Sequence, residues 1–229
     1  MPIVPEVVIP RMFLPQLAAL RDAIFVRVLP AFDKLESEAD QIEDETFERL
    51  GASAGEDTDP ADLAEAAVEA GRRHFELTSA TRQTVINAFA VALSHLFEQQ
   101  RHFLSLRTLV DLEPDSKKRE KRFRSSLKAS GINDAMFIHH RKLEELDLVA
   151  NVAKHAEGQS AERLRAWRPE LFIHPLIRDD PGVASSSGVP VNRPLMGEDL
   201  FVQPDDLRAY LDAVESFWRF VLGQLSSVR

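Results

Sequence analysis

The chain has 229 residues, with 28 Lys and Arg against 37 Asp and Glu, and so a formal net charge of −9. At 44% hydrophobic and 28% charged it has the composition of one globular domain of ordinary size rather than of a disordered chain. The absence of cysteine excludes a disulfide scaffold, a thiolate zinc site and a cysteine nucleophile, and the acidic balance argues against non-specific coating of DNA. No apolar run approaches the ~18 residues of a membrane span. The opening Met1-Pro2-Ile3-Val4-Pro5-Glu6 has neither the basic region nor the apolar core of a signal peptide, so the expected location is cytoplasmic, with no membrane partner.

In chain order, residues 1–15 carry Pro2, Pro5, Pro10 and Pro15 among branched apolar residues, which predicts an extended arm packed along the body. From Gln16 the apolar spacing turns helical through Leu17, Leu20, Ile24, Val28, Phe32 and Leu35, with Pro30 expected to kink or interrupt the helix. An acidic stretch follows. Between Asp33 and Asp62 there are twelve Asp or Glu and only two bases, Lys34 and Arg49. Residues 51–60 read as a loop, with Asp59 as N-cap and Pro60 in the first helical position. Residues 61–110 read as helix almost throughout, with a division expected near Thr78-Ser79. The second part should bury Ile86, Phe89, Leu93, Leu96, Phe97, Phe103 and Leu104, and Pro114 stops it.

A short basic helix is predicted over 116–129, ending at Gly131. The next is capped by Asn133 or Asp134, runs to about Ala156 and closes at Gly158; Ser160 then caps a short helix through Trp167. Residues 169–203, rich in Pro, Gly and Ser, read as a long structured loop. Asp205 or Asp206 opens the last helix, whose apolar face is Leu207, Leu211, Val214, Phe217, Trp218 and Leu222. Strand signals are nearly absent. The fold expected is all-α, a single-domain bundle of about six helices.

Several clusters bear chemistry. Asn151 and His155 stand i, i+4 on one helix face, where an imidazole can exchange protons and an amide can orient it. Equally, a histidine there can simply face the last carbonyls of the helix. His95, Glu98, Gln99 and His102 form a polar stripe opposite the Phe89/Leu93/Leu96 face. His95 and His102 lie two turns apart, ~10 Å, too far to share an ion, so neither a metal nor another cofactor is predicted from them. The run 116–128 holds seven bases, Lys117, Lys118, Arg119, Lys121, Arg122, Arg124 and Lys128, against Glu120 alone. Such a cluster can engage RNA phosphates, or it can pair with the acidic stretch at 33–62. Arg163 and Arg165, beside Trp167 and Arg168, extend the positive character. The segment 192–201 suits either a partner contact or a pinned surface loop.

An all-α domain with a Glu-bearing polar face on one long helix and Asn151-x-x-x-His155 on a later one resembles the HEPN superfamily, over residues 60–225 at most. Many of its members are metal-independent ribonucleases of toxin–antitoxin and phage-defence systems, with an Arg followed after four to six residues by His. Asn151 and His155 match the polar residue and the His; Ala150 stands where the Arg does in the family. The resemblance implies His155 as general acid/base in attack by the RNA 2′-hydroxyl, and Asn151 orienting the phosphate. Glu98 and His102 would orient His155, while Lys117, Lys118, Arg119, Lys121, Arg122, Arg124, Arg163 and Arg165 would hold RNA. A homodimer and a protein partner of the antitoxin kind fit the family. With Ala150 in place, the alternative is a non-catalytic HEPN-like module that holds a protein partner or small ligand. A third class is a metal hydrolase on His95, Glu98, His102 and His155.

Overall fold

The computed structural model describes residues 5–55, 57–108, 116–129, 137–178 and 190–227. The fold is an all-α helical bundle, and among the described residues there is no strand. The first helical segment corrects the expectation of an extended arm. Helix begins at Pro5 and continues through α1 (Pro5–Val8), a wide π-helical turn (Ile9–Phe13), α2 (Leu14–Asp22), a second π-helical stretch (Ala23–Val28) and a 3₁₀ turn (Leu29–Phe32). Pro10, Pro15 and Pro30 sit at or beside changes of pitch. Proline has no N–H to give and its ring clashes with the carbonyl four residues back. Widening the turn at Pro10, where Leu14 N–H reaches Ile9 O, or tightening it at Pro30, removes the clash without ending the helix.

α3 (Leu35–Ala52) and α4 (Pro60–Thr108) form a long hairpin. Asp59 caps α4 as predicted, its carboxylate accepting from Ala61 N–H at 2.8 Å, with Pro60 in the first turn. The division expected at Thr78-Ser79 does not occur: α4 is one helix of 49 residues, about 73 Å long. The hydroxyls of Thr78, Thr81 and Thr84 each donate to the carbonyl four residues back at 2.8–2.9 Å, so they are satisfied inside the helix and do not compete with it. At Gly71 the helices touch closely; a Cβ there would lie 2.8 Å from Ala39 O.

α5 (Ser116–Ala129), α6 (His140–His155) and α8 (Pro204–Ser227) pack around the C-terminal half of α4, and α7 (Gln159–Trp167) packs on α6. Asn133, Asp134 and Gly131 lie outside the described residues, and α6 starts only at His140. Ser160 does not cap α7; Gly158 occupies that place. The loop expected over 169–203 contains 3₁₀ turns at Pro169–Phe172, Pro175–Ile177 and Pro194–Met196, and 179–189 lies outside the described residues. The core gathers Ile86, Leu93 and Phe97 of α4, Leu146, Val149 and Val152 of α6, and Leu211, Val214 and Trp218 of α8.

Three polar devices fix this core. Asn87, fully buried, donates to Pro194 O at 2.7 Å and Leu200 O at 2.8 Å, and Gln83 donates to Val202 O at 2.9 Å, so α4 binds the 194–202 segment as a neighbouring backbone would. Gln100 accepts from Trp218 Nε1 at 2.6 Å and donates to Gln16 Oε1 at 3.1 Å, tying α4 to α8 and α2. Arg168 binds Glu145, Glu170 and Asp206, while Tyr210 donates to Glu145 at 2.8 Å and Lys142 lies 2.8 Å from the same carboxylate. Burial, with Glu145 and Asp206 beside it, raises the Tyr210 phenol well above its usual range, so it remains a donor.

Candidate functional site

Asn151 and His155 occupy the last turns of α6, Asn151 half-buried and His155 exposed. The residue before Asn151 decides what this turn can do. Ala150 is 1% exposed and packed in the core, so the position at which the resemblance would set an Arg faces away from solvent. Lys154 is exposed. Beyond His155 the chain turns through Ala156 at φ 60°, a left-handed conformation that strains any residue with a side chain. The following carboxylate holds the turn. Glu157 accepts a two-pronged bond from Arg165, at 2.6 and 2.8 Å, and another from Val191 N–H at 2.8 Å. Arg165 first, and Val191 N–H second, hold the Glu157 carboxyl down to about 2. Arg165 is thus committed to Glu157, and Arg163 is bound by Glu144, eleven residues before His155 on α6.

Glu98 and His102 stand elsewhere. Ser94 Oγ donates to Asp147 Oδ1 at 3.0 Å, which sets the register of α4 against α6. The cleft described below pairs Phe97 and Arg101 with Leu143 and His140, so the two helices run antiparallel. His155 lies eight residues beyond that bond in one direction, and Glu98 and His102 four and eight residues in the other; the axial separations are about 18 and 24 Å. The four residues that the resemblance groups are therefore two pairs. His95 Nδ1 lies 3.7 Å from Glu98 Oε2 on the exposed side of α4. Among the described residues, no three His, Asp or Glu side chains converge as metal ligands would.

What does converge is at the Glu98 level. A cleft of about 240 Å³ opens between α4, α5, α6 and α8. Its floor is aromatic: Phe217 meets Phe97 edge-on at 5.2 Å and Phe137 edge-on at 5.5 Å, with Phe123 of α5 at 6.3 Å. Its rim is charged, with Arg101 of α4, Arg124 of α5 and, along α6, His140, Glu144 and Asp147. The Arg101 guanidinium stacks on Phe97 at 4.4 Å. α5 is anchored by its buried Phe123 and Leu127, one turn apart, which leaves Lys118, Lys121, Arg124 and Lys128 exposed. The side chains of Lys117, Arg119 and Arg122 lie outside the described residues. Beside the cleft, Trp167 is flanked by Arg141 at 5.1 Å and Arg163 at 5.6 Å.

Sequence reasoning found Arg124, Arg163 and Trp167 but missed Arg101, His140 and the aromatic floor. Phe97 and Phe217 were each legible as part of the buried face of a separate helix; that they meet each other, and Phe123 of the basic helix, depends on how three helices cross. The acidic stretch does not reach the basic helix. α3 begins at the level of Phe75 to Ser79 on α4 and runs away from the cleft, whereas α5 packs at the level of Phe97, about 27 Å along the helix.

The chain matches no protein-family model, no curated protein and no solved structure. Among the described residues no helix is long and apolar enough to cross a membrane.

Proposed function

We propose that the protein is a non-catalytic, HEPN-like binding module that holds single-stranded RNA along α5 and the adjoining cleft. One observation carries the reading. Exposed cations gather at the α5 end of the bundle, while His155 stands exposed at the other end with Ala150 buried before it and with Arg163 and Arg165 both engaged by carboxylates. Backbone phosphates are matched by Lys118, Lys121, Arg124 and Lys128 on the exposed side of α5. A base is matched by Trp167, the half-buried ring beside Arg141 and Arg163, since stacking requires only a ring face and is indifferent to sequence; the buried phenylalanines shape the cleft beneath it. The 27 Å separation from α3 supports the same reading, because it keeps the repulsive acidic helix away from an RNA lying on α5.

Cleavage by 2′-hydroxyl attack needs a cation on the phosphate as well as a proton carrier, and His155 alone supplies only the second. The test is fluorescence anisotropy of a labelled single-stranded RNA at about 50 and 200 mM salt, with EDTA present throughout. Wild type and His155→Ala are expected to bind alike and leave the RNA intact. The triple variant Lys118→Glu, Lys121→Glu, Arg124→Glu is expected to lose at least about tenfold in affinity. RNA cleavage by wild type that disappears in His155→Ala would instead establish the ribonuclease. Unchanged binding by the triple variant would remove α5 from the interface.

A further inference from the structure

On the other side of the molecule, where the α3–α4 hairpin leaves the bundle, lies a larger cavity of about 840 Å³. It falls within the size range of small-molecule sites. Phe32, Phe75 and Phe201 wall it, and Phe201 is fixed by the His174 ring, edge-on at 5.1 Å, and by its own N–H on Leu171 O at 2.7 Å. The 197–202 side is held to α4 by the Gln83 and Asn87 amides, so this wall is built in advance of any ligand.

The cation in this cavity is Arg82. It is half-buried and, among the described residues, makes no hydrogen bond or ion pair. Other half-buried arginines of the chain are engaged: Arg21 by Asp212, Arg165 by Glu157 and Arg168 by three carboxylates. No nitrogen of its guanidinium is buried without a partner, so the group is open to solvent, and an anion in the cavity meets a cation that no protein carboxylate holds. Lys34 is a second cation on the lining. Three carboxylates bound what can enter. Glu76 is occupied by Arg72 at 2.5 Å, but Asp33 and Glu36 are exposed on the lining and repel a multiply charged ligand.

We propose that this cavity binds a small organic monoanion with a ring-sized apolar body, its carboxylate on Arg82 and its body among Phe32, Phe75 and Phe201. The site is separate from the α5 cleft and does not depend on the RNA reading. Calorimetric titration of the full chain with 1-naphthoate, beside the neutral isostere 1-naphthamide, tests it. One-site saturable binding is expected for naphthoate, weakened at least about tenfold for the amide and for Arg82→Gln. Because Arg82 has no partner to lose, Arg82→Gln should melt no lower than wild type, so a loss of binding will not reflect unfolding. The proposal is overturned if 1-naphthamide binds as tightly as naphthoate, or if Arg82→Gln retains full affinity. Absence of saturable binding by all of naphthoate, indole-3-acetate and decanoate overturns it as well.

Discussion

The two halves of α4 are one helix in two different environments. The C-terminal half is surrounded: α2, α5, α6 and α8 cover it, and its inward polar groups, Asn87 and Gln100, each meet named partners. The N-terminal half is partnered by α3; Ala67 and Gly71 are buried there, while Val68 and Leu77 are exposed. The same backbone is thus a core element at one end and half of a two-helix arm at the other. Sequence pattern alone gives both ends the same helical period, and only the number of neighbours separates them. Stability should follow that difference, because packing of an apolar face, more than propensity, holds most helices in place.

The largest effect is expected in the bundle at Arg168. Replacing it by Met leaves the buried Glu145 and the half-buried Asp206 without their shared cation, a loss of about 3 kcal/mol in urea unfolding. Loss of less than about 1 kcal/mol would mean the ion cluster is incidental to the bundle. Asn87→Ala strands the Pro194 and Leu200 carbonyls and opens a small cavity, about 3 kcal/mol by the same measurement, with hydrogen exchange of the 194–202 amides accelerated.

In the arm the effect should be smaller and local. Gly71→Ala drives a Cβ against Ala39 O; overpacking of about 1–3 kcal/mol is offset in part by the ~1 kcal/mol that alanine contributes over glycine in a helix. Amides of α3 should exchange faster while those of α6 and α8 are unchanged. If both sets accelerate together, arm and bundle unfold as one unit and the contrast between them fails.

The end of α6 gives the two smallest effects. Ala156→Gly relieves a positive φ and should stabilise by roughly 0.5–1 kcal/mol in thermal melts. Glu157, with its carboxyl lowered to about 2, contributes stability that is fully present above the usual 4.5 and is lost as pH falls from there toward about 2. Between those values Glu157→Gln should flatten the acid dependence of the Val191 amide's protection, an effect reduced by the carboxylate's partial exposure.

Local chemistry was legible. Asp59 and Pro60 announce the start of α4, and the apolar spacing of Leu207, Leu211, Val214 and Trp218 announces the buried face of α8, because caps and faces depend on residues within a turn of each other. The prolines of the first segment misled for a related reason: a proline forbids the ordinary helical bond, and sequence does not say that the chain will keep winding at another pitch. The candidate sites were the least legible part. Ala150 is a small residue in any list, and only its burial shows that the motif-like turn faces inward there. Arg82 is an ordinary helix arginine until the carboxylates around it are seen to be engaged elsewhere or facing water.

The length of α4 has a mechanical consequence. From Pro60 to Thr108 it contains no internal proline, and its one glycine, Gly71, is packed against α3; the back-bonded Thr78, Thr81 and Thr84, where a helix can bend slightly, lie at the base of the arm. The arm's tip is therefore a lever: it lies about 36 Å from Thr84, and a tilt of ~10° there would carry it through about 6 Å. Whatever grips the hairpin at its far end acts on the bundle as a torque, and the Arg82 cavity sits at the fulcrum.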